Sequence, residues 1–233
     1  MISNWLAFWD SPHFIYVNAR HKDVHYRLIA DQIAALVPSR QAHVLDYGSG
    51  EALHADRVAA VAGELLLCEG APRVRAGIAA RFAENSKIRA IAPDEVALLP
   101  EHSLDLIVLH SVAQYLTPVE TAALFALFHK LLKAGGVLVV SDVIEPRNAA
   151  FADALALLRF SAANGFVLAA MAGLARTLVS DYLRLRKRLG ITRYGEAAMI
   201  EKLAAAGFAA RTAPTVIGHD RARLSFIARP RDV

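Results

Sequence analysis

Short apolar runs alternate with longer helix-patterned segments along this chain, and the alternation is what most restricts its fold. Residues 44–46, 65–68, 104–109 and 137–140 are dominated by Val, Leu and Ile and bounded by turn-forming or polar residues. They read as buried parallel strands. Between them, 53–62, 72–82 and 118–132 carry apolar residues at helical spacing, as with Leu124, Leu127, Phe128 and Leu131. Such an order predicts right-handed crossovers in a doubly wound α/β sheet, with 88–91 as a further strand. Upstream, 24–37 predicts an amphipathic helix that stops before Pro38. Downstream, 199–206 predicts a helix ended by Gly207, then a hairpin of strands at 213–217 and 224–228 about Gly218-His219-Asp220. Residues 149–190 form a helical insert or lid, apolar at first and basic near Arg184, Arg186, Lys187 and Arg188.

Composition narrows the setting. With 233 residues and 55% hydrophobic content the chain can bury a large core, so one domain over 1–233 is expected, 1–41 forming an N-terminal helical cap. The net charge of +4 is scattered, too little to argue for a nucleic-acid partner. One cysteine, Cys68, excludes an intramolecular disulfide and any multi-cysteine zinc site, and the histidines lack metal-ligand spacing with carboxylates. No metal is expected. The first ten residues have no basic leader with an apolar core, and the longest apolar stretch, 165–175, is short of the roughly 20 residues a membrane span needs. A cytoplasmic location is the expectation.

The first strand runs into Asp46-Tyr47-Gly48-Ser49-Gly50-Glu51-Ala52. Glycines there let a ligand approach the backbone, and a following helix N-terminus favours an anionic group. Such a turn alone serves tight packing equally well. At the end of the second strand, Glu69 precedes Gly70. A carboxylate at about 20 residues past the glycines can accept hydrogen bonds from both hydroxyls of a ribose.

On these residues the chain resembles the class I S-adenosylmethionine-dependent methyltransferases over about 42–145. The resemblance implies a Rossmann-like, mostly parallel seven-stranded sheet with a C-terminal antiparallel hairpin and S-adenosyl-L-methionine as cofactor. It matches Asp46, Gly48 and Gly50 to the family's first motif and Glu69 to its ribose-binding acid, with Ala52 where many members have a third glycine. It further implies that Asp94 or Glu95 holds the adenine amino group, that the Val96 backbone meets the ring edge, and that His110 and Ser111 face the transfer site. A nicotinamide dehydrogenase is the rival use of a glycine turn plus an acid. Leu53, where the dinucleotide motif needs a small residue, disfavours it.

Methyl transfer needs alignment, exclusion of water, and a base only when the acceptor must lose a proton. His110, Tyr115 and His219 are the candidate bases. The aromatic N-terminal run of Trp9, Tyr16, His21, His25 and Tyr26 can close over a cationic sulfur, a contact worth about 0.5–2 kcal/mol, or simply pack. Residues 110–113 read His-Ser-Val-Ala rather than the family's Asn/Asp-Pro-Pro-aromatic motif, which disfavours amino methylation of nucleic acids. A small, partly hydrophobic acceptor is therefore expected. The alternatives are a peripheral-membrane enzyme acting on a lipid or quinone, supported by the basic 184–188 stretch, and a non-catalytic binder of the cofactor. The insert could instead serve as the contact of a homodimer.

Overall fold

The computed structural model describes residues 2–11, 15–146, 150–177, 190–213 and 217–231. Its centre is a seven-stranded sheet of order β3-β2-β1-β4-β5-β7-β6. The strands are β1 His43–Tyr47, β2 Glu64–Cys68, β3 Ile88–Ile91, β4 Leu104–His110, β5 Leu132–Val143, β6 Phe208–Thr212 and β7 Leu224–Pro230. The first five are parallel; β7 runs antiparallel to both β5 and β6. Sequence order reverses beside β1, so the C-terminal ends of β1, β2 and β4 open onto a crevice where α/β sheets bind ligands.

Both sheet faces are covered, which is why the strands read as continuous apolar runs. Leu45, Ile107, Leu109, Leu138 and Val140 pack on one face with Phe125 and Phe128 of α6 (Pro118–Leu131) and with Met199 and Leu203 of α9 (Glu196–Ala205). The alternate residues Val44, Leu106, Val108 and Val139 pack on the other face. They meet Ile29 and Ile33 of α2 (Ala19–Ala34), Val58 of α3 (Ala55–Ala59) and Ile78 of α4 (Pro72–Arg81). This is the two-residue period of an extended chain. Three further helices bear on the rim: α1 (Ile2–Trp9), α7 (Ala150–Asn164) and α8 (Val167–Thr177). A one-turn α5 (Pro93–Val96) follows β3. No helix among the described residues is long and apolar enough to cross a membrane.

Several boundaries differ from the sequence expectation. The helix expected over 53–62 contracts to Ala55–Ala59, because Ala52 is left-handed (φ 45°) and the chain must turn into β2, where Gly63 donates to the Ala42 carbonyl. Helix α2 starts five residues early, since the Asn18 side chain caps it by accepting from the His21 N–H at 2.8 Å. The hairpin is present with Phe208–Thr212 as its first strand; of the expected 213–217, residues 214–216 lie outside the described residues. Burial of Phe208 against His129 and the pairing Thr212↔Phe226 set that register. The basic stretch 184–188 lies outside the described residues.

Candidate active site

A cavity of about 1100 Å³ opens above the C-terminal ends of β1, β2, β4 and β5. Small-molecule sites occupy about 300–1000 Å³, so there is room for a nucleoside-sized ligand and a second small molecule together.

At the β1–β2 end, backbone groups do most of the building. The Gly48 and Ser49 N–H groups donate to the Cys68 carbonyl at 2.8 and 3.1 Å, which folds the loop back over β2. Gly48 (φ 79°) and Gly50 (φ 59°) are left-handed. A Cβ on Gly48 would lie 2.3 Å from Val112, and one on Gly50 2.6 Å from the Tyr26 hydroxyl. Both positions need glycine for conformation and for space. Glu69, only 8% exposed, accepts from the Gly50 N–H at 2.9 Å and the Ala71 N–H at 2.8 Å. It thus ties the two loops together and keeps lone pairs for a ligand. Burial pushes its pKa up, against those donors, and burial with the nearby Glu69 charge pushes Asp46 up to about 7. Acids whose pKa is raised by burial favour a cationic ligand, whose arrival would help ionise them. The buried Ser49 hydroxyl has no hydrogen-bond partner among the described residues.

At the β4–β5 end, side chains from distant segments converge. Ser111 (φ 59°), just past β4, and Asp142 (φ 58°), next to the last residue of β5, are left-handed, and the Ser111 hydroxyl donates to the Asp142 carboxylate. Paired strain of this kind is kept where surrounding structure enforces it, commonly at sites of function. Arg223 lies 3.6 Å from Asp142, 3.0 Å from Asp153 and 3.0 Å from Asp220, joining β5, α7 and the turn before β7. That turn is pinned to β5 by the Ile217 N–H donating to Ser141 Oγ, and to α2 by the Gly218 N–H donating to Gln32 at 2.7 Å. His219 is thereby carried to the same rim as His110, as expected for a strand β6 parallel to β1–β5.

The N-terminal segment closes the top. Trp5, buried, and Trp9 pack on Tyr115 with ring centroids 4.6 and 5.8 Å away. Tyr26 accepts from the Glu51 N–H at 2.9 Å. His21 stacks on Phe166 at 5.0 Å and His219 on Phe160 at 4.5 Å, clamping the helical insert onto the cap and the hairpin turn.

Of the predicted site residues, Asp46, Gly48, Gly50, Glu69, Gly70, His110, Ser111, Tyr115 and His219 all line the cavity. Asp94, Glu95 and Val96 do not: from that segment only Pro93 lines it. Glu95 accepts from the Ala92 N–H at 2.7 Å as a helix cap, and Val96 is sealed in the core. The expected helix N-terminus for an anion is reduced to the five-residue α3. Trp5 and Arg223 are among the cavity residues that sequence reasoning missed. Trp5 precedes any patterned segment, and Arg223 sits in a polar turn, with Asp142 and Asp153 of its three carboxylate partners remote in sequence. Among the described residues no group of three or more His, Cys, Asp or Glu is arranged to hold a metal ion.

Residues 45–140 match the family model described as a methyltransferase domain. The fold as a whole is shared with solved structures of low sequence identity. One is the N-methyltransferase NodS from Bradyrhizobium japonicum in complex with S-adenosyl-L-homocysteine: TM-score 0.60, 15% identity, 98% of each chain covered. Another is the DhpI–SAH complex: TM-score 0.59, 14% identity, 100% of this chain and 98% of that one. A third is the YcgJ protein from Bacillus subtilis: TM-score 0.61, 12% identity, 90% of this chain and 100% of that one. Comparison with curated protein sequences found no match. A methyltransferase-domain model thus matches 45–140, and the seven-stranded sheet that contains this segment shares its fold with those solved structures.

Proposed function

We propose that the protein transfers the methyl group of S-adenosyl-L-methionine to a small, partly hydrophobic acceptor. The observation that carries this reading is the two-ended cavity, with a glycine loop and a buried acid at one end and histidines at the other. The residues suit the cofactor. Glu69 has acceptor capacity left for ribose hydroxyls, the orphaned Ser49 hydroxyl and the glycine cradle suit a carboxylate-bearing tail, and Asp46 suits a cation. Bound there, S-adenosylmethionine supplies a methyl group activated by its sulfonium. The chain's own part is to hold the two reactants in line and keep water out, the larger share of such a reaction's acceleration. His110, Tyr115 and His219 are the groups placed to take a proton from the acceptor.

Calorimetry with S-adenosylhomocysteine, followed by transfer of a labelled methyl group in a small-molecule extract, tests the reading. Binding with a labelled small product supports it; binding without any product would leave a non-catalytic binder. A second reading, an acceptor held in a lipid surface, is favoured by α8, where Leu168 is 83% and Met171 58% exposed. Salt-sensitive sedimentation with anionic liposomes supports it, and its absence counts against it.

A further inference from the structure

Besides His21, whose Nδ1 accepts from the Val17 N–H, three histidines line the cavity from three separate elements: His25 from α2, His110 from the end of β4 and His219 from the turn before β7. The Nδ1 atom of each is sealed from solvent and has no hydrogen-bond partner among the described residues. A buried polar atom left unpaired costs about 1–3 kcal/mol, so three in one wall are poorly explained by packing alone. The His25 and His219 rings lie 5.9 Å apart, and a Cβ on Gly218 would stand 3.4 Å from His110 Cε1, so the turn closes tightly on the β4 end. Burial lowers the pKa of all three, which keeps each imidazole neutral with one N–H and one free lone pair. Flat apolar surface adjoins them, with Phe160 stacked on His219 and Tyr16 at 5.4 Å from His25. The described cavity lining holds Asp10, Asp46, Glu51, Glu69 and Asp142 against Lys22 and Arg223, a balance that disfavours an anionic acceptor.

We propose that His25, His110 and His219 form the acceptor pocket and that it takes a hydroxyl group borne on an aromatic ring. This rests on the methyl-transfer reading of the cavity. The hydroxyl oxygen forms the new O–C bond with its lone pair, the S–C bond breaks with its electron pair kept on sulfur, and the hydroxyl proton passes to an imidazole nitrogen and then to water. The products are an aryl methyl ether and S-adenosylhomocysteine. The oxygen becomes strongly acidic as its bond to carbon forms, so a weakly basic imidazole is a sufficient acceptor for its proton.

The test uses the full chain saturated with S-adenosylhomocysteine and titrated with 2-naphthol, 2-naphthylamine, 2-naphthoate and naphthalene, read by the fluorescence of each probe. 2-Naphthol should bind at least tenfold more tightly than naphthalene and more tightly than the amine or the carboxylate. His219→Phe, which keeps the stack on Phe160, should erase that preference; His25→Phe is the second variant, with S-adenosylhomocysteine affinity as the control for folding in both. No binding of 2-naphthol, equal binding of naphthalene, or tighter binding of the amine or carboxylate overturns the proposal. So does a preference that survives in both variants. Failure of S-adenosylhomocysteine itself to bind is a separate result, seen before any probe is added: it removes the methyl-transfer reading and the hydroxyl pocket with it.

Discussion

At the β1–β2 end of the cavity the ligand-facing groups come from one stretch, 46–70, and are held by backbone hydrogen bonds; at the β4–β5 end they come from α2, β4, β5, α7 and the hairpin turn, and are held by side chains. The first end is a local device, fixed once two adjacent parallel strands pair in register. The second exists only when the whole sheet, the cap and the insert are assembled. Their electrostatics differ too, with acids whose pKa is raised at one end and histidines whose pKa is lowered at the other. A site divided in this way lets the acceptor end change without disturbing the cofactor end.

The sharpest test of the division is Glu69→Ala. Charge-assisted hydrogen bonds are worth about 1.5–3 kcal/mol each, so S-adenosylhomocysteine affinity should fall tenfold or more by calorimetry, while probes of the histidine wall bind as before. Equal losses at both ends would erase the distinction.

Acid should act oppositely on the two ends. His21 is lowered to about 4, and His25, His110 and His219 are lowered from 6.5. These groups bind fewer protons folded than unfolded, so their stability contribution is lost as pH falls below 6.5. Asp46, raised to about 7, binds its proton more tightly when folded, so its contribution is present at acid pH and lost as pH rises from about 4 through 7. Glu69, raised in the same direction, acts like Asp46; the four histidines outweigh these two acids, and Tm should fall by several degrees from pH 6.5 to 5. His219→Phe should flatten that fall, whereas Asp46→Asn should steepen it. A Tm that rises over this range would contradict the assignment.

Arg223→Gln removes the cation shared by Asp142, Asp153 and Asp220. The expected cost is about 2 kcal/mol in urea denaturation, between exposed and fully buried ion pairs. Hydrogen exchange should quicken in α7 and stay unchanged in β1 and β2. Quickening across both ends would mean the insert supports the whole sheet.

The smallest effect belongs to Ala52→Gly. Relief of a left-handed alanine gains about 1–2 kcal/mol. Loss of its buried methyl, about 0.8 kcal/mol, and the added chain entropy of glycine, about 0.5–1 kcal/mol, offset that gain. Stability should therefore stay within about 0.5 kcal/mol of the parent, and cofactor affinity should not move.

Strands buried on both faces announce themselves locally: 88–91 is β3 to the residue, and helix α4 ends one residue from its expected limit. Strand β6 is a half-exposed edge strand, Phe-Ala-Ala-Arg-Thr, with little pattern of its own, and the pull of Phe208 into the core placed it. Asp94 and Glu95 follow β3 where the loop was expected, yet they form the one-turn α5 and Glu95 is taken up in capping it, a competition that no spacing reveals.

The chain by itself determined the parallel strands, the glycine cradle and Glu69, because each depends on the preferences of a few adjacent residues and on one strand pairing. Only the tertiary structure decided that His25, His110 and His219 share a wall and that Arg223 joins three segments. The three histidines stand 85 to 194 positions apart and meet through packing, and side-chain encounters over such distances leave no period in the sequence.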